Sequence, residues 1–230
     1  MKKFLGYGGV GDCFIIILKL LEQKEDFTYT HVESTLEKLQ MCGELLNTYG
    51  IQHNLIHATN LRGWWLKNHN AYDKRFNLCA AGYINVPPRD FHWEPCKDEG
   101  VINPFNNHQT KQYNLLCAQV NGGLKNNHAQ RHANKRPMAE YVKKIKKNLN
   151  VAWVGIDDFN PPFGESYSGK LSLKETMDMI AESKIFVGFN SILLYWALHN
   201  KVESHLFMDH QGKYDIRIHE EWKPYLHYIE

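Results

Sequence analysis

Residues 6–12 read Gly6-Tyr7-Gly8-Gly9-Val10-Gly11-Asp12, and this stretch lies between residues 2–5 (KKFL) and the apolar residues 13–18 (CFIIIL). The pattern predicts a strand over 2–5, a glycine-rich turn, and a helix over 12–23. Glycines allow positive φ and a close approach of the backbone to another group. The free N–H groups at the start of such a helix attract a phosphate or a carboxylate.

The same alternation of strand and helix continues along the chain. Pro87-Pro88, Pro95, Gly100 and Pro104 interrupt it and predict a linker or irregular segment over 86–112. The predicted strands are 2–5, 27–32, 51–57, 76–84, 113–120, 151–155, 184–187 and 202–208, and the predicted helices are 12–23, 35–49, 61–69, 137–148, 172–183 and 192–199.

Two β-α-β sets with a break between them predict an α/β protein with two facing Rossmann-like lobes and parallel sheets. The expected domains are residues 1–110 and 111–230. Ligands in such folds bind beyond the carboxyl ends of the strands. The aromatic tail over 222–228 is predicted to pack back across the other lobe.

The composition is typical of a soluble globular protein. The 230 residues are 43% hydrophobic and carry a net charge of +2. Five scattered cysteines without a CxxC pair favour reduced thiols and a cytoplasmic location. No apolar run is long enough for a membrane span. No HExxH motif occurs, and neither a metal nor a cofactor is expected.

One reading of the glycine turn is a dinucleotide fingerprint. Gly6-x-Gly8-x-x-Gly11 matches its spacing, and Glu33 follows 22 residues after Gly11, where a ribose-binding acid would lie. This alternative predicts an NAD(P)-dependent oxidoreductase. The sequence of the second half shows no group of residues that would carry out redox chemistry with such a cofactor.

The second half carries a different signal. Residues 168–176 (SGKLSLKET) and 180–191 (IAESKIFVGFNS) resemble the carboxy-terminal lobe of the ADP-heptose:lipopolysaccharide heptosyltransferase family. Residues 8–12 resemble the glycine-aspartate turn of that family, and Lys135-Arg136-Pro137 resembles its helix entry. The resemblance implies the GT-B fold of glycosyltransferases, with an acceptor-side lobe over 1–110 and a nucleotide-sugar-binding lobe over 111–230.

The resemblance also implies roles for individual residues. Asp12 matches the catalytic base that deprotonates an acceptor hydroxyl, and a carboxylate above a sheet suits that role. The structural alternative is that Asp12 caps the first helix. Lys135 matches a lysine that neutralises the donor diphosphate, with Arg131 and Arg136 as neighbours. The alternative for this basic run is a solvated surface.

Further donor contacts are expected at turns that follow strands. The helix start after Gly188 would offer its N–H groups to the diphosphate, as would the helix start at Gly11. The expected donor-binding residues are Gly11, Asn121, Gly122, Arg131, Lys135, Asp157, Gly188, Asn190 and Ser191. The ribose hydroxyl is expected to contact Asp157 or its neighbour Asp158.

The chain departs from the family at Asn190, Ile192 and Tyr195, which stand in place of an acid, a glycine and a histidine. It is also shorter than the usual members, so a lipopolysaccharide acceptor is not carried over. The expected partners are a nucleotide-diphosphate sugar and an acceptor, either a glycan or a hydroxylated DNA base. The DNA base is included because the basic segment over 125–147 suits a polynucleotide. A non-catalytic nucleotide-sugar-binding protein is a third hypothesis.

Overall fold

The computed structural model describes residues 1–21, 23–77, 114–120, 135–156, 159–189, 191–207 and 220–229. These residues form two compact α/β units, with 1–77 in the first and the described residues from 114 onward in the second. Each unit has one sheet, and the strand pairings in both sheets are parallel. The prediction of two Rossmann-like α/β units with parallel sheets is therefore confirmed.

The first unit has strand order β3-β2-β1-β4. Its elements are β1 (Lys2–Tyr7), α1 (Val10–Leu21), β2 (Phe27–Glu33), α2 (Leu36–Thr48), β3 (His53–His57), α3 (Leu61–Asn68) and β4 (Lys74–Asn77). The apolar run over 13–18 is buried along its whole length in α1. A helix that is apolar all round in this way is held by tertiary packing rather than by one amphipathic face.

The second unit has strand order β10-β9-β8-β5-β6-β7. Its elements are β5 (Leu115–Gln119), α4 (Lys135–Ile145), β6 (Asn150–Val154), β7 (Glu165–Ser166), α5 (Leu173–Ala181), β8 (Ile185–Gly188), α6 (Ile192–His199), β9 (Glu203–Phe207) and β10 (Leu226–Ile229).

Both strand orders follow the doubly wound pattern. Counted from β5, the second sheet has the order 6-5-4-1-2-3, which is the dinucleotide-binding order read from the other edge. The first sheet contains the 3-2-1-4 part of that order. The order reverses between β1 and β4 in the first unit and between β5 and β8 in the second. Ligands in open α/β sheets bind outside the carboxyl ends of the strands at such a reversal.

The sequence Ser172-Leu173-Lys174-Glu175 predicts a capping box, and the start of α5 confirms it. The backbone N–H of Glu175 donates to the Ser172 hydroxyl at 3.2 Å, and the N–H of Ser172 donates to the Glu175 carboxylate at 2.8 Å. These two reciprocal bonds form a capping box. They satisfy backbone donors that the first turn of a helix leaves without partners.

Several predicted boundaries differ from the structure by a few residues, and β1 and β4 are examples. Strand β1 continues to Tyr7 instead of ending at residue 5, because Gly6 and Tyr7 pair with β2 and with β4. Strand β4 begins at Lys74 rather than at residue 76. The remainder of the predicted strand, residues 78–84, lies outside the described residues.

The prediction for the aromatic tail is wrong. The tail belongs to the second unit, where β10 adds a parallel strand to the edge of the sheet beside β9. Trp222 is buried against the ring of Tyr195, with centroids 6.4 Å apart. An open sheet edge has unpaired backbone groups with which a β-favouring segment can pair, and the tail pairs with this edge.

Among the described residues, no helix has the length and apolar character that a bilayer crossing requires.

Candidate active site

The glycine turn of the first unit lies between β1 and α1, beside the reversal of strand order. Gly8 has φ +128°, a conformation that L side chains rarely adopt. A Cβ atom at Gly8 would lie 2.6 Å from Oδ2 of Asp12. The turn therefore requires glycine at this position both for its backbone conformation and for the close approach of the aspartate.

Asp12 is the third residue of α1, so it is not the N-cap of the helix. Its Oδ2 accepts the backbone N–H of Gly9 at 2.9 Å. This is the bond that the acidic member of a capping box makes with the residue before the helix. The half-buried carboxylate is thereby oriented at the carboxyl end of β1, which suits a general base. Capping and catalysis are compatible at this position.

The side chains of Tyr29 and His31 form a buried hydrogen-bonded relay that contacts the backbone of the turn at Gly8. Nε2 of His31 lies 3.1 Å from the Gly8 carbonyl oxygen, and Nδ1 lies 2.8 Å from the Tyr29 hydroxyl. Because the carbonyl only accepts, Nε2 carries a proton that it donates to the Gly8 oxygen, and in the neutral form of the ring the tyrosine hydroxyl donates to Nδ1. Burial raises the pKa of Tyr29 well above its ordinary value, so the hydroxyl keeps its proton. The relay thus holds the Gly8 peptide in place.

Two cysteine thiols lie beside this relay. Cys13 and Cys42 are buried free thiols, as is Cys117 in the second unit, whereas Cys79 and Cys96 lie outside the described residues. Burial is the main cause that raises the pKa of Cys13 well above its ordinary value, so it remains a neutral thiol. It donates to the Cys42 carbonyl oxygen at 3.9 Å, which links α1 to α2.

The dinucleotide fingerprint does not have the expected layout in three dimensions. Gly6 lies inside β1 rather than in the turn. Glu33 is 4% exposed, and its Oε1 accepts the backbone N–H of Ser34 at 2.7 Å and that of Thr35 at 3.1 Å. The Glu33 carboxylate therefore accepts hydrogen bonds from backbone N–H groups of the turn that leads into α2. These observations weigh against Glu33 as a ribose-binding acid.

The site of the second unit lies where its strand order reverses. Gln119, the last residue of β5, is buried, and its side-chain oxygen accepts from two groups of the turn after β8. The backbone N–H of Phe189 donates at 3.3 Å, and the Ser191 hydroxyl donates at 3.0 Å. Ser191 is the N-cap of α6, but its hydroxyl makes this bond and no side-chain cap bond. Gln119 thereby holds the amino end of α6 against β5.

Gly188 is required by packing at the same place. A Cβ atom there would lie 2.5 Å from the Phe186 ring and 2.8 Å from Oε1 of Gln119. The absence of a side chain therefore allows the strand-to-helix turn to lie close to Gln119. Such turns bind anions through backbone N–H groups.

The structure describes part of the predicted donor site. Gly188 and Ser191 lie together in the second unit, and Gly11 lies in the first turn of α1. Lys135 is the first residue of α4. The Lys135 side chain and the whole of Asn121, Gly122, Arg131, Asp157 and Asn190 lie outside the described residues.

Sequence reasoning missed Gln119. A polar residue that ends the apolar strand Leu115–Gln119 was the available signal. Its partners, Phe189 and Ser191, lie 70 and 72 residues further along the chain. The chain pattern gives no indication of that pairing.

We expect Gln119→Ala to lower the free energy of unfolding by about 1–3 kcal/mol, because it leaves a buried backbone donor without its acceptor. Urea unfolding of the full chain measures this change. Gln23→Ala is the matched control, since Gln23 is only part-buried and bonds within the end of α1. That control should change stability by less than about 0.5 kcal/mol. Equal losses in the two variants would contradict the role of Gln119.

The solved structures that share this fold include glycosyltransferases. No protein-family model matches the sequence, and no curated protein matches it. Among solved structures, ADP-heptose lipopolysaccharide heptosyltransferase II of E. coli superposes with a TM-score of 0.52 at 11% identity, covering 100% of this chain and 90% of that one. The family 9 glycosyl transferase from Veillonella parvula gives 0.52 at 12% identity, with 100% and 87% coverage.

A third similar structure is the dodecameric iron-containing heptosyltransferase TibC in complex with ADP-D-β-D-heptose. It gives a TM-score of 0.54 at 12% identity and covers 100% of this chain. The present chain spans 62% of that structure and 57% of another TibC structure, from enterotoxigenic E. coli. At these identities the comparisons establish the fold, and the resemblance to the heptosyltransferase fold is confirmed.

Proposed function

We propose that the protein is a glycosyltransferase that moves a sugar from a nucleotide-diphosphate sugar to an acceptor hydroxyl. The observation that carries this proposal is the strand-to-helix turn at Gly188, held by Gln119 at the reversal of strand order in the second sheet. That position is where doubly wound sheets bind nucleotides. The similarity to heptosyltransferase structures supports the same chemistry.

In the proposed reaction, Asp12 takes the proton of the acceptor hydroxyl as the oxygen of that hydroxyl attacks the anomeric carbon of the sugar. The bond from that carbon to the diphosphate oxygen breaks, and the bonding electron pair leaves with the diphosphate. Backbone N–H groups at the start of α6, together with Lys135, stabilise the negative charge that develops. This division of work between a base and electrostatic stabilisation uses no catalytic metal and no cofactor.

The acceptor is proposed to be a glycan hydroxyl. The named activity of the heptosyltransferase II structure concerns lipopolysaccharide, which favours a carbohydrate acceptor over a hydroxylated DNA base. The basic segment over 125–147 is the feature of the sequence that suits a polynucleotide. Net charge does not favour a polyanion, since 27 basic residues face 25 acidic ones.

The test is equilibrium binding of the full chain to UDP-, GDP-, ADP- and CMP-sugars and to NAD(H) and NADP(H). We expect saturable binding of one nucleotide sugar. Lys135→Ala should weaken the binding of that nucleotide sugar about 10- to 100-fold, which corresponds to the loss of one charged hydrogen bond. Lys144→Ala on the same helix is the control, because Lys144 is exposed in the last turn.

The other outcomes separate the alternatives. Binding of a nicotinamide cofactor alone, lost in Glu33→Ala, would replace the proposal with an oxidoreductase. Binding of a nucleotide sugar with neither transfer to any acceptor nor hydrolysis of the donor would indicate a non-catalytic binding protein.

A further inference from the structure

Three side chains with metal-binding atoms meet on one face of the second sheet. Glu203 begins β9, and His205 lies two residues further along, so both side chains are on the same face of the strand. His227 on β10 is the register partner of His205. Neighbouring strands lie about 4.8 Å apart, which places register partners side by side.

The distances among these atoms fit a single ion. Oε1 of Glu203 lies 3.0 Å from Nε2 of His205 and 3.8 Å from Nε2 of His227. The three ligand atoms all lie within 4.8 Å of one another. In a tetrahedral zinc site with bonds of about 2.0–2.1 Å, two ligand atoms are roughly 3.3 Å apart. We infer that Glu203, His205 and His227 form a binding site for a divalent first-row transition ion such as Zn²⁺.

Tyr141 of α4 orients the central ligand. Its hydroxyl oxygen lies 2.7 Å from Nδ1 of His205. With an ion on Nε2, Nδ1 carries the proton and donates it to the tyrosine oxygen. Metal-binding histidines regularly make such a bond from the second ring nitrogen, and it selects the tautomer that ligates. Tyr141 is therefore a positioning residue for the ion.

The site is open to the solution on one side. The His205 side chain is 10% exposed, whereas those of Glu203 and His227 are 50% and 51% exposed. An ion reaches all three ligands without unfolding, and water completes its coordination. Neutral imidazoles and one carboxylate suit Zn²⁺ and its neighbours in the first row rather than Ca²⁺.

The site is distinct from the proposed donor site. Glu203 pairs with Ile185 at the amino end of β8, and the Gly188 turn lies at the opposite end of that strand. The ion would join edge strand β10 to β9. Because the unfolded chain does not preserve this arrangement, binding should stabilise the native state, and the stabilisation should grow with the logarithm of the ion concentration above the dissociation constant.

A second group with metal-binding atoms is present in the first unit and has to be distinguished in the experiment. Cys13, His31 and Cys42 converge there, and all three are fully buried. Both ring nitrogens of His31 are already bonded, to Tyr29 and to Gly8. Thiolate ligands and imidazole-carboxylate ligands have different spectra with cobalt, so one probe separates the two groups.

The experiment is a titration of the chelator-stripped full chain with Co²⁺, followed by displacement with Zn²⁺. We expect one equivalent of bound Co²⁺ with visible d–d bands and no thiolate-to-cobalt band in the near ultraviolet. His227→Ala should abolish this binding and also the rise in melting temperature produced by Zn²⁺. His57→Ala, an exposed histidine at the end of β3, should leave both unchanged.

Further variants test the geometry and the alternative. Tyr141→Phe should bind one equivalent about 10- to 100-fold more weakly, as loss of an orienting bond does. His227→Ala is checked for folding by its metal-free melting temperature, which should match that of the parent chain. The inference is overturned if the parent chain binds no Co²⁺, if His227→Ala binds it equally well, or if a thiolate band appears that Cys42→Ser removes.

Discussion

Asp12→Asn is expected to lower the rate of sugar transfer by about 100- to 10,000-fold, the usual contribution of a positioned general base. The amide oxygen of asparagine can still accept the Gly9 N–H, so the bond that orients residue 12 is retained. What is lost is the ability to take a proton. The measurement is kcat with the nucleotide sugar that the binding panel identifies, alongside the dissociation constant of that donor, which should not change.

The matched control for this variant is Asp26→Asn. Asp26 is an exposed residue between α1 and β2 in the same unit. The same loss of one negative charge there should leave kcat unchanged. Full activity in Asp12→Asn would remove Asp12 from the mechanism and leave it as a residue of the turn only.

Gly8→Ala is expected to have the largest combined effect on stability and activity. The conformation at φ +128° costs a non-glycine residue about 1–3 kcal/mol. The new methyl group would also lie 2.6 Å from Oδ2 of Asp12, so the carboxylate has to move. Misplacement of a catalytic group by about 1 Å lowers rates roughly 100-fold. Urea unfolding and kcat measure the two effects.

Gly50→Ala separates strain from position. Gly50 also has positive φ, +66°, but an added Cβ atom would meet nothing within 4 Å. It follows α2 in the same unit, so its substitution should cost stability while kcat is retained. Equal activity in the two glycine variants would show that Gly8 serves the backbone alone and that the placement of Asp12 does not limit the reaction.

Much of the candidate site in the first unit follows from local sequence. The glycine turn, the apolar helix after it and the acid at residue 12 are near neighbours in the chain, and their bonds are short-range. The Gly9–Asp12 bond spans three residues. The spacing of Gly6 matches a dinucleotide fingerprint, so the sequence wrongly predicts that Gly6 lies in the turn. The glycine instead lies inside β1, where a Cβ atom would collide with the side chains of Tyr29 and Ile16.

The tail shows where composition misleads. Its aromatic residues indicate burial, and Trp222 is buried. The sequence does not indicate which surface of the protein these residues pack against. The position of the tail depends on the edge of β9 with which β10 pairs, and that edge exists only once the sheet has formed. The cluster of Glu203, His205 and His227 follows from the same pairing. Histidine spacing typical of a helix does not reveal the cluster, because Glu203 and His205 are two residues apart on β9 and His227 lies on the neighbouring strand β10.

Local preferences were sufficient for the alternation of helices and strands, the glycine turn and the capping box at Ser172, because each depends on backbone conformation and bonds within a few residues. Strand order depended on contacts across the whole unit. It places Gln119 against a turn 72 residues away and His205 opposite His227. Parallel strands are joined by long connections, so their order and register arise from packing in three dimensions.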